Sequence, residues 1–145
     1  MDRSAIAMSL IVAGGLMAAS MGGQDALATE NKEAYVSPGA DKRTLINEPL
    51  YGVKAQIVTI DHYTMPAGWA GGKHYHTGPV YVYVLEGSFT IDEQGKERRI
   101  FKAGELYKEP IGAPMQARNL NAFEPLKLLV FQVTPEGEPL MVKAE

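Results

Sequence analysis

From residue 54 onward the chain is a series of short apolar runs, rich in β-branched and aromatic residues, punctuated by glycine and proline. Residues 54–64, KAQIVTIDHYT, form the first such run, and Pro66-Ala67-Gly68 ends it. Residues 80–85 form a second. Residues 88–92 and 97–101 flank EQGK, which predicts a hairpin turning on Gly95. Short strands are expected at 105–108 and 115–118. Residues 126–134, LKLLVFQVT, are almost continuously apolar, as a core strand should be, and PLMVK at 139–143 can pair at an edge. The polar stretch 29–49, with Ser37-Pro38-Gly39 as a turn, reads as an extended arm holding at most a short strand. No segment after residue 30 sustains a helical period. Many short strands between glycine and proline turns predict an all-β sandwich or barrel.

The first 30 residues, MDRSAIAMSLIVAGGLMAASMGGQDALATE, break this pattern. Arg3 opens them, an apolar segment follows over 5–19, and Ala26-Leu27-Ala28 offers small residues at a cleavage position. This is the anatomy of a secretory leader. The apolar segment is short for a membrane span of about 20 residues, and Gly14, Gly15, Gly22 and Gly23 dilute it, so cleavage after Ala28 is expected and a stable membrane anchor is not. The predicted organisation is a leader over 1–28, an arm over 29–49 and one barrel domain over 50–145, with the mature protein periplasmic or secreted. A chain of 145 residues suits a single core. Its net charge of −3 offers no basic surface for nucleic acid or acidic lipid. With no cysteine, disulfides, thiolate metal sites and a cysteine nucleophile are excluded.

Candidate chemistry concentrates in GWAGGKHYHTGPVYVYVLEG, residues 68–87. Gly68, His74, His76 and Gly87 match the spacing G-x5-H-x-H-x3-4-E-x6-G, with Val80 where the glutamate is expected. A second spacing, G-x5-P-x-G-x2-H-x3-N, is met by Gly104, Pro110, Gly112 and Asn119, with Met115 in the histidine position. Two motifs in register, spanning 68–119, resemble those of the cupin family. The resemblance implies a single-domain cupin-type β-barrel, a double-stranded β-helix of jelly-roll type. It also implies a metal held by two histidines and a glutamate of the first motif and a histidine of the second. Similar proteins often form homodimers by pairing strands, and the apolar tail makes a homodimer plausible here.

Two of those four ligands are changed. Residues two apart in a strand face the same way, so His74 and His76 are expected to point into one cavity, with Val80 lining it and Met115 approaching from another strand. Two imidazoles and a thioether carry no negative charge, which makes a buried divalent ion costly. Methionine sulfur suits Cu(I), so a copper-type site of His74, His76 and Met115 is the favoured metal reading. The competing account is a barrel that has stopped binding metal, in which Met115 fills the core and the two histidines contact a small organic ligand. His62 shares parity with Val58 and Ile60 and is a further pocket candidate, although a core histidine bonded to the backbone is the simpler role. Trp69 either caps the cavity or packs. Glu86 and Glu109 offer replacement carboxylates, Glu86 on the inward parity but beside the turn at Gly87. The functional expectation is an exported binding protein for a metal ion or small molecule. The alternatives are a metal-dependent oxygenase, isomerase or lyase, and a vestigial, metal-free barrel.

Overall fold

A computed structural model describes residues 32–145; the leader predicted over 1–28 and its expected cleavage after Ala28 lie outside them. The described residues form ten strands: β1 (Asp41–Pro49), β2 (Gln56–Met65), β3 (His74–Tyr75), β4 (Val80–Glu86), β5 (Ser88–Glu93), β6 (Arg99–Lys102), β7 (Leu106–Glu109), β8 (Met115–Arg118), β9 (Leu126–Pro135) and β10 (Val142–Lys143). They make two five-stranded antiparallel sheets, ordered β1-β2-β9-β4-β7 and β10-β3-β8-β5-β6. The predicted runs all become strands, and the EQGK hairpin turns with Gly95 at φ 76°, a conformation open to glycine. The fold is all-β, as the sequence predicts.

Alternation drives the packing. In β4 the odd residues Tyr81 and Tyr83 face outward, while Val80, Val82 and Val84 are buried. Phe89 and Ile91 of β5, Tyr107 of β7 and Leu126 and Leu128 of β9 meet them between the sheets. Burying each such side chain is worth roughly 1.5–3 kcal/mol.

Two elements differ from the sequence reading. The arm holds a nine-residue strand, β1, paired along β2 from Asp41↔Thr64 to Pro49↔Ile57. Every residue of β1 is exposed, so its sequence lacks the apolar alternation that reveals core strands. On β2 the inward parity belongs to Thr59, Asp61, Tyr63 and Met65, all buried, not to Ile60 and His62. The reason is polar pairing. Thr44 Oγ1 donates to Asp61 Oδ1 at 2.6 Å and Asn47 Nδ2 to Thr59 Oγ1 at 3.0 Å, so this end of the inner face is satisfied by hydrogen bonds.

Candidate metal centre

The loop before β3 explains its glycines. Trp69 O accepts the Asn119 amide at 2.8 Å and Gly71 N–H donates to Ala117 O at 3.0 Å, which ties the loop to the end of β8. A Cβ on Gly71 would lie 2.7 Å from the Trp69 ring, and one on Gly72 would lie 2.9 Å from the Tyr35 ring. The two glycines let aromatic rings pack directly against the backbone that delivers His74. Two residues later His76 O accepts Gly112 N–H at 2.9 Å, joining the chain to the segment after β7. Val80 then stands in direct register with Glu109 across the β4–β7 pair. The carboxylate missing from position 80 is therefore supplied by the neighbouring strand, at its cross-strand partner.

His74, His76 and Glu109 are each 3–5% exposed, and one ligating atom from each lies within 4.8 Å of the others. His74 Nδ1 is 3.1 Å from Gly72 O and His76 Nδ1 is 2.9 Å from Leu140 O. A carbonyl only accepts, so both Nδ1 atoms carry the proton. In this tautomer each Nε2 is left with a lone pair, and the backbone carbonyl at Nδ1 fixes the ring plane, as in metal-ligating histidines. The two rings stand edge to face, 5.2 Å apart.

The electrostatics point the same way. Three buried carboxylates can be compared. Glu93 accepts from Tyr107 Oη at 2.6 Å and pairs with Lys96 Nζ at 2.6 Å and with Arg99. Asp61 accepts from Thr44 and lies 3.7 Å from Lys42 Nζ. Glu109 Oε2 meets no hydrogen-bond donor of its own; its close contact is His76 Nε2 at 2.7 Å, an ion pair when that ring is protonated. An acceptor buried in this way is costly unless a cation meets it. Burial lowers the pKa of His74, and the neighbouring His76 adds to this against the pull of Gly72 O and Glu109. Burial also acts to lower that of His76, but the Glu109 carboxylate and the Leu140 carbonyl outweigh it, and the pKa rises.

The three residues open on a cavity of about 40 Å³ that is partly open to solvent, lined also by Tyr63, Met65, Trp69, Val82, Phe89, Leu128 and Gln132. At roughly 10–15 Å³ for each water, it takes about three.

Of the residues singled out in the sequence, His74 and His76 share this cavity. Met115 is buried and in direct register with His74, but it is not among the residues that line the cavity. Val80 is buried in the core, and Val82, two residues on, lines the cavity instead. His62 is half-buried on the outer face of β2, opposite Arg43 and Leu129, because the inward parity falls on its neighbours. Glu86 is exposed and paired with Lys127 at 2.9 Å. Trp69 lines the cavity and donates to Pro38 O at 2.7 Å. The residue that sequence reasoning left as one option among several is Glu109. Its signal was the alternation of LYKE, in which Tyr107 and Glu109 fall on the buried parity.

Comparison with known proteins bears on the fold. An uncharacterised protein of Methanocaldococcus jannaschii is 28% identical over 104 residues, covering 72% of this chain and 84% of its own. An RmlC-like cupin of Shewanella frigidimarina superposes with a TM-score of 0.54 at 20% identity, over 76% of this chain and 89% of its own. The DMSP lyase DddQ of Ruegeria pomeroyi superposes with a TM-score of 0.58 at 22% identity, over 72% of this chain; the match spans about half (51%) of the lyase. The family description "Cupin domain" matches residues 61–132. With both motif spacings and the paired sheets, residues 61–132 of this chain are a cupin-family domain.

Proposed function

We propose that the protein holds one divalent first-row transition ion through His74 Nε2, His76 Nε2 and a Glu109 carboxylate oxygen. Two histidines and a carboxylate on one side of an ion leave positions for water or a small oxygen-donor ligand, the pattern of non-haem iron centres. The observation that carries this reading is the triad itself: three buried donor atoms within 4.8 Å, both Nδ1 protons spent on carbonyls, and one carboxylate oxygen unmet. Glu109 supplies the negative charge whose absence favoured Cu(I). A soft site of His74, His76 and Met115 is the second reading, supported by the direct register of Met115 with His74. The cavity volume restricts a ligand held wholly inside to a few heavy atoms. Lyase chemistry is known for one protein of this fold, and open coordination positions are what such chemistry needs. We place the protein outside the cytoplasm, on the strength of its leader.

The test is to strip the mature chain with a chelator and reload it separately with Mn(II), Fe(II), Co(II), Ni(II), Zn(II) and Cu(I). One ion per chain is expected, with a rise in melting temperature. At a hundredfold excess over the dissociation constant the stabilisation is about 2.7 kcal/mol. A larger rise with divalent ions than with Cu(I) supports the carboxylate centre, the reverse order supports Met115, and flat melts with no stoichiometric ion refute both.

A further inference from the structure

The residues matched as a cupin domain do not complete this centre. The segment before β1 lies against the β3 loop and the tail. Tyr35 N–H donates to Met141 O at 2.9 Å, Lys143 N–H donates to Glu33 O at 2.8 Å, and Ala34 bridges Val142. This places the Tyr35 ring flat on the His74 imidazole, 4.9 Å between centroids and 8° from parallel. Tyr35 Oη also accepts the Gly72 N–H at 2.5 Å. Gly72 is the residue whose carbonyl receives the His74 Nδ1 proton. Tyr35 therefore restrains His74 twice, by covering its ring face and by fixing the backbone that sets its tautomer. A Cβ on Gly72 would crowd the Tyr35 ring at 2.9 Å and force it to shift.

We propose that Tyr35 is a positioning residue of the metal centre, holding the His74 ring so that its Nε2 converges with the His76 Nε2 and a Glu109 carboxylate oxygen. The inference rests on the proposed metal reading. It adds a residue from outside the matched motifs, on a segment the family pattern does not describe. A flat aromatic contact restricts both ring rotation and tilt, and outer contacts of this kind change metal affinity by about 10–100-fold when removed.

The experiment uses the mature chain loaded with Co(II), whose visible spectrum reports ligand geometry. Tyr35→Phe keeps the ring and removes the acceptor for Gly72, and Tyr35→Leu removes both. Affinity by chelator competition is expected to fall about tenfold for the first and towards a hundredfold for the second, with altered Co(II) band positions or intensities. Glu33→Ala loosens the exposed pair with Lys143 without touching His74, and is expected to leave affinity and spectrum unchanged. If the leucine variant unfolds, the phenylalanine variant alone decides. Wild-type affinity and spectrum in the Tyr35 variants overturn the role of Tyr35. A wild type that takes no Co(II) overturns the centre itself, and this role with it.

Discussion

Glu109→Val should change metal affinity and metal-free stability in opposite directions. The side chain is a buried carboxylate with one oxygen lacking a hydrogen bond, and His76 is its one close cationic partner. Removing one partner of a buried pair costs about 3–5 kcal/mol when the other charge is stranded, but His76 can shed its proton and stay neutral, so exchange of the carboxylate for an apolar group of similar volume is expected to be neutral or stabilising. For a domain of this size each kcal/mol raises the melting temperature by about 3–6 °C, so the stripped variant should melt no lower than wild type and up to many degrees higher. Metal binding should collapse. Two unit charges 4 Å apart attract by about 4 kcal/mol at an effective dielectric constant of 20, and a divalent ion in contact with the carboxylate gains at least that. The loss is then at least about three orders of magnitude in dissociation constant. Because Val80 is the register partner of Glu109, adding Val80→Glu moves the carboxylate across one strand gap of about 5 Å with the pair's total volume conserved. The double variant should recover at least about tenfold in affinity over Glu109→Val. Thermal melts with and without Ni(II), beside calorimetric titration, read all three quantities. A Glu109→Val protein that melts lower without metal and still gains stability from Ni(II) would show that Glu109 braces the barrel and holds no ion.

Met115→Ala should cost about 2–5 kcal/mol by leaving a core cavity, seen as a lower denaturation midpoint, while divalent affinity stays within about threefold; a selective loss of Cu(I) binding would instead favour the sulfur ligand. Arg98, and then Arg118, hold the Asp92 carboxyl below its usual range against the opposing effect of desolvation. A lowered folded-state value means stability that is fully present above the unfolded value of about 3.9 and is lost as pH falls through the folded one, so Asp92→Asn should flatten the acid limb of the stability profile, and an unchanged limb would refute the assignment. Native protein recovered from its source should begin near Thr29 by intact mass, and a cytosolic form retaining Met1 would overturn export.

Much of the fold was legible because strands announce themselves locally. The alternation in 80–85 and the apolar run at 126–134 needed no partner to be recognised. The loop-and-histidine spacing placed His74 and His76 together for the same reason: a separation of two positions in a strand fixes a shared face. What escaped was register. Nothing near position 80 says which residue of which strand will lie opposite Val80, so Glu109 stood no higher than Glu86. Parity also misled on β2, where Ile60 and His62 suggested an apolar face and the true inner face was carried by Thr59 and Asp61, made acceptable by hydroxyl and amide partners on β1. Strand β1 itself was hidden because an exposed edge has no hydrophobic signature. Tyr35 reaches His74 across 39 positions of sequence, and no spacing rule addresses that distance.

The carbonyl that orients His76 belongs to Leu140, two residues before β10, which pairs with β3. That placement couples the carboxyl-terminal tail to the ion as one thermodynamic cycle. If a docked tail raises metal affinity by some factor, then a bound metal must raise the equilibrium constant for tail docking by that same factor. Lys143 and Ala144 donate their amides to Glu33 O and Lys73 O, so the gain reaches the amino-terminal segment and the β3 loop as well. If the centre is occupied as proposed, binding by three side chains also favours the docking of residues 33–35 and 140–144, and anything that pulls either segment away becomes a means of releasing the ion.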